Sequence, residues 1–197
     1  MNRSDLLRRL RALWRCAGGA VVVEAALLLP LMALGVVAAL DVGRYLELNA
    51  RADRIAAGMA DLVSRADTIR DRAAFDALSQ STDLGVYFEL ARVMAEPEVL
   101  GRGGGVVLSS ITGGATGATV NWMRAQGSGA NASAARLQAL APLPQGMPFV
   151  VAEVFLPFDP LILDREALLG AVGFDRAIYR RALFRPRSAA LTTLAQP

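Results

Sequence analysis

The sequence predicts an α+β chain in which one long N-terminal helix, first apolar and then amphipathic, packs on a small antiparallel sheet. Three observations carry that expectation: an apolar run over residues 20–40, a heptad-like apolar stripe after it, and strand-length runs between glycine-rich turns beyond residue 105. They divide the chain into a basic leader (1–19), a transmembrane helix (20–40), an amphipathic helical stalk (41–72) and an outer α+β domain (73–197).

The leader holds Arg3, Arg8, Arg9, Arg11 and Arg15 against Asp5 alone. The whole chain has 21 basic and 18 acidic side chains, so outside the leader 16 basic groups face 17 acidic ones and the positive excess disappears. A pI near 9.7 therefore belongs to the leader. Without a basic patch interleaved with aromatics, no surface is set up for counterion release from phosphates, and no nucleic-acid partner is expected. The chain has no histidine, and its one cysteine is Cys16. A Cys/His zinc site, a Ser-His-Asp triad, a Cys-His dyad and an intrachain disulfide all need residues that are missing. Cys16 precedes the apolar run instead of following it, which is the wrong order for a lipoprotein signal, so it reads as incidental.

Residues 20–40 are apolar apart from Glu24. At about 1.5 Å per residue they cover a hydrocarbon core of about 30 Å. The arginines before the run and Asp41 after it place the N-terminus in the cytoplasm and everything beyond residue 41 outside it. The run continues as Leu40-Asp41-Val42-Gly43-Arg44, with no small-residue cleavage site at its far end, so an ordinary signal peptide is not expected. Gly35, Ala39 and Gly43 recur every four residues, a small-residue groove along which a second membrane helix could approach. Pro30 removes one backbone hydrogen bond from the segment.

A carboxylate inside a membrane helix costs about 2.5–3.5 kcal/mol on insertion scales. Two readings of Glu24 stand: it snorkels to the cytoplasmic headgroups from its place near the start of the run, or its spacing from Gly19 is functional. Cleavage between Gly19 and Ala20 would make Glu24 the fifth residue of a mature chain and leave the basic leader behind, the layout of a type IV prepilin. The residues Gly19-Ala20-Val21-Val22-Val23-Glu24-Ala25-Ala26-Leu27-Leu28-Leu29-Pro30, followed by Asp41-Val42-Gly43-Arg44, resemble the TadE-like (TadE/TadG-type) pilin-like family. A weaker likeness runs on through Trp122, Ala152-Glu153-Val154-Phe155, Pro160-Leu161 and Arg185-Pro186-Arg187, while Ala25 stands where that family commonly has an aromatic residue.

The resemblance implies a pilin-like fold, residence in the bacterial inner membrane with a periplasmic domain, and processing by a prepilin peptidase. It also implies a minor pilin-like role in tight-adherence (Flp) type IV pilus assembly, with other pilin-like subunits and the inner-membrane assembly machinery as partners. In such proteins the glutamate can pair with the new α-amino group of a neighbouring subunit. An uncleaved, signal-anchored periplasmic binding or scaffold protein is the alternative. An enzyme is not expected: an anchored hydrolase would have to use carboxylates such as Glu153 with Asp159 or Asp164, and no spacing singles out a pair.

Beyond the run, Tyr45, Leu48, Ala52, Ile55, Met59, Leu62, Ala66 and Ile69 recur in steps of three and four, marking one helix face that packs on its own domain or on a partner helix. Glu47 with Arg51 and Asp61 with Arg65 are favourable i,i+4 pairs on the polar side. A second helix is expected from about Asp83 to Met94, before Pro97. Residues 106–112 and 118–124 read as a hairpin across the glycines between them. With no lysine in the chain and no strand-loop-helix order, the glycines do not make a phosphate loop, and no cofactor is expected. Residues 127–148 read as a connection around a short helix, and residues 149–158 as a strand with Val150, Ala152, Val154, Leu156 and Phe158 inward and Glu153 on the opposite, non-core face. A last strand over residues 177–184 completes four, and Arg180, Arg181, Arg185 and Arg187 make a basic C-terminus that reads as solvated.

Overall fold

The computed structural model describes residues 17–96, 100–140, 143–161 and 177–197. Residues 1–16, Pro97 and Asp164 lie outside them. The chain forms helix α1 (Ala17–Ser64), helix α2 (Leu84–Met94), strands β1 (Gly105–Gly113) and β2 (Ala118–Gln126), the short helix α3 (Ala134–Gln138), and strands β3 (Pro148–Pro157) and β4 (Ala177–Phe184). This is the α+β layout that the sequence predicts. The apolar run and the amphipathic stretch are one unbroken helix of 48 residues with Pro30 inside it.

The four strands form a single antiparallel sheet in the order β2-β1-β3-β4. The hairpin, the central pair and the last strand fall within a residue or two of their expected positions, because glycines and prolines punctuate the chain where pairing must stop. The C-terminal half of α1 lies across β3 and β4 on one face of the sheet, and α2 packs beside it. Their shared core draws Ala52, Ile55, Met59 and Val63 from α1, Phe88 from α2, and Leu108, Trp122, Val154 and Ile178 from the sheet.

The buried stripe on α1 departs from the expected one at its end. Leu62 is 39% exposed whereas Val63 is fully buried. A strict heptad would bring Leu62 inward, but a straight helix turns 3.6 residues at a time and drifts by about 20° per heptad, so after Ala52, Ile55 and Met59 the next inward position is Val63. The helix also stops at Ser64, short of residue 72. The Ser64 hydroxyl donates to the Asp61 carbonyl, and the Ser64 carbonyl is capped by the backbone N–H of Arg187 at 2.9 Å. Ile69 is still buried, from the loop that follows.

Asp83 precedes α2 as expected but does not cap it in the usual way. Fully buried, it accepts from the Gln80 backbone N–H at 2.9 Å and faces Arg70 and Arg72. The chain leaves α2 through Glu96, a non-glycine residue at φ 65 where glycine is usual, and the Glu96 carboxylate pairs with Arg51 of α1 at 2.6 Å.

The C-terminal tail runs back over the core. Leu191 is buried at φ 48, and its carbonyl accepts the Trp122 indole N–H at 2.7 Å. Ala195 then exchanges backbone bonds with Ile69 and Asp71. Two of the C-terminal arginines are not simply solvated: Arg180 pairs with Asp53 and Arg187 with Asp61 on the helix. The other face of the sheet is covered too, by a second cluster around Ile111, Leu137, Leu140 and Val151.

Candidate functional site

Two regions hold the residues singled out by sequence. The first is the inner half of α1. The Gly19–Ala20 junction lies in its first turn. Glu24 is exposed, as are all of residues 21–36, and no part of the described chain covers them. One helix near the N-terminus is thus long and apolar enough to cross a membrane. Gly35, Ala39 and Gly43 are also exposed, and a side chain built at Gly35 or Gly43 would meet nothing within 4 Å.

Helix geometry relates these residues to the sheet. Ala39 and Gly43 stand two positions either side of Asp41, and so about 200° around the helix from it. Asp41 is buried under the sheet domain, so the small-residue groove faces away from the domain. Gly35 falls three turns beyond Glu24 and within about 20° of it around an ideal helix, which sets the carboxylate at the edge of the same stripe. The domain leaves that stripe open for another helix.

The base of the domain was not legible as a site. Asp41, read in the sequence as the end of the apolar run and as part of the Asp41-Val42-Gly43-Arg44 motif, is 0% exposed and accepts the Leu161 backbone N–H at 2.8 Å, with Arg44 at 3.6 Å. Tyr45 and Phe158 meet edge to face at 5.1 Å just above. The strand end at Pro157 and the corner through Leu161 therefore hang on the helix where the apolar run stops. A cleft of about 210 Å³ opens beside them, lined by Arg44, Glu47, Arg51, Glu96, Arg102 and Asp159.

The second region surrounds Glu153. Strand alternation does send it to the face opposite α1, but that face is not open: Glu153 is 0% exposed. Its Oε1 accepts from Arg136 Nε at 2.8 Å and from the Tyr179 hydroxyl at 2.6 Å, while Oε2 has no hydrogen-bond partner. The Arg136 guanidinium lies over the rings of Phe155 and Tyr179 at 5.3 and 5.1 Å. Burial, and then the bond to Glu153, push the Tyr179 phenol up to about 12. Arg136 comes from α3, where Ser133 accepts the Arg136 backbone N–H as N-cap. The signal for this face was in the sequence: Phe149, Val151 and Phe155 are apolar as well as their alternates, the mark of a strand buried on both sides.

Asp159 lines the cleft at the base, with Glu47 and Glu96, and does not converge with Glu153. Among the described residues no three acidic or sulfur side chains gather as a metal site would require. Comparison with protein-family models, with curated proteins and with solved structures finds no match.

Proposed function

We propose that this chain is a membrane-anchored, minor pilin-like (pseudopilin) subunit of a TadE-like type IV/Flp pilus assembly system. Its leader is removed between Gly19 and Ala20 by a prepilin peptidase. The observation that carries the reading is the exposed Glu24 on an apolar helix surface, fifth residue of the processed chain and at the edge of the open groove of Gly35, Ala39 and Gly43. A lone carboxylate facing lipid is costly, and a new α-amino group on a neighbouring subunit would neutralise it. The groove would let that neighbour's helix approach closely. The unbroken α1 supports the same reading, since one rod both anchors in the inner membrane and forms a wall of the periplasmic domain.

The N-terminal residue of the membrane-resident protein tests this, by intact mass and sequencing with and without a co-expressed prepilin peptidase. A chain that starts at Ala20 only when the peptidase is present is the expected result. A chain that keeps its leader beside an active peptidase refutes processing and leaves an uncleaved, signal-anchored scaffold or binding protein.

A further inference from the structure

We infer that the base of the outer domain is seated in the outer leaflet of the membrane that α1 crosses, with Leu161 at the acyl boundary and Arg44 and Arg102 at the level of the lipid headgroups. The inference rests on the proposed anchoring of α1 and adds a second, lateral contact with lipid.

Height along the helix makes the case. Leu161 is tied by its backbone N–H to the carboxylate of Asp41, so it sits level with the end of the apolar run. Its side chain is 61% exposed. On other sides of α1, Val42 is 36% and Leu46 61% exposed, at the same level and about 7 Å higher. From that level to about 7 Å above it, exposed apolar groups continue the bare surface of residues 21–36, as the edge of a bilayer around an anchored α1 would require.

Asp41 supplies an independent observation. An aspartate at a helix's exit into water has no need of cover, yet this one is wholly buried under the Leu161 corner with its charge met by Arg44 and the Leu161 N–H. Besides fastening the corner to the helix, this cover keeps a carboxylate out of contact with lipid that reaches that level. Charged groups begin immediately above. The cleft of about 210 Å³ presents arginines together with carboxylates, the mixture that a phosphate and an ammonium of a zwitterionic headgroup would meet. Apolar groups below and paired charges above reproduce the layering of a membrane interface.

Site-directed spin labelling of the full chain tests the seating. In a Cys16→Ser background, single labels at Leu161→Cys, Leu34→Cys and Leu78→Cys are reconstituted into phosphatidylethanolamine/phosphatidylglycerol vesicles, and collision with oxygen is compared with collision with a water-soluble nickel chelate. Leu161 and Leu78 are exposed, at 61% and 79%, so neither substitution disturbs the core. The oxygen-to-nickel ratio is expected to be several-fold higher at 161 than at 78 and to approach that at 34. A ratio at 161 equal to that at 78, with 34 still shielded from nickel, overturns the seating while leaving the anchor intact. Nickel access at 34 would overturn the anchoring of α1 and the seating with it.

Discussion

Replacing Arg136 with methionine should destabilise the outer domain by about 3 kcal/mol. The guanidinium is one of two donors to a carboxylate that has no exposure to water, and the other carboxylate oxygen already lacks a partner. Breaking a buried pair from one side costs about 3–5 kcal/mol, because the remaining charge is stranded. Arg136 itself is 26% exposed, which places the loss at the lower end, and its position over two rings contributes about 0.5–1 kcal/mol of it. Replacing Glu153 with methionine as well removes the stranded charge, so the double variant should recover most of the stability that the single one loses. Urea unfolding of the full chain in detergent micelles, followed by near-ultraviolet circular dichroism of the buried Trp122, measures both. A loss below about 1 kcal/mol for Arg136→Met, or a double variant as unstable as the two single losses added, would refute the assignment of this pair as the tie between α3 and the sheet.

Four other outcomes follow from the same contacts. The Tyr179 phenol is raised to about 12 in the folded chain against about 10 unfolded, so folding favours its protonated form. That contribution is complete below pH 10 and is lost as pH climbs toward 12; Tyr179→Phe should flatten this part of the stability profile, leaving the smaller slope from Tyr87, whose burial also raises it. Trp122→Phe deletes the indole bond to the Leu191 carbonyl and should cost about 1–3 kcal/mol, read as faster amide exchange around residues 187–195. Val63→Ala should cost about 2 kcal/mol in thermal unfolding and Leu62→Ala less than about 0.5, reversing what a heptad stripe implies. Gly85→Ala would drive a methyl into the carbonyl oxygens of Ala73 and Ala74 and should lower stability by about 1–3 kcal/mol.

What could be read from sequence follows from the range of the interactions. The strands were legible because β1, β2 and β3 are apolar-rich runs bounded by glycine or proline and Pro186 follows β4, and α2 because Asp83 marks its start. Glu24 and the groove of Gly35, Ala39 and Gly43 are local spacings on one helix, so their shared stripe needed no tertiary knowledge. The partners that hold the buried Asp41 and Glu153 were not legible. Each depends on a partner far along the chain, Leu161 for the one and Arg136 and Tyr179 for the other, and no period links them. The tail was missed for the same reason: Leu191 and Ala195 are fastened by single bonds to Trp122, Ile69 and Asp71, which leave no pattern in the residues themselves.

On the proposed anchoring, the unbroken α1 would make orientation in the bilayer and orientation of the domain a single mechanical variable. With no hinge between Leu40 and Ser64, the outer stretch of the helix acts as a lever about 36 Å long, and a lean of about 20° in the membrane carries its far end about 12 Å sideways. Rotation is transmitted as directly. The groove of Gly35, Ala39 and Gly43 lies on the side away from the sheet, so a helix seated in it dictates the compass direction in which β1 to β4 face. Neighbours would then not need to touch one another's domains to be aligned: the bearing would be set inside the lipid and delivered outside it by a rigid shaft.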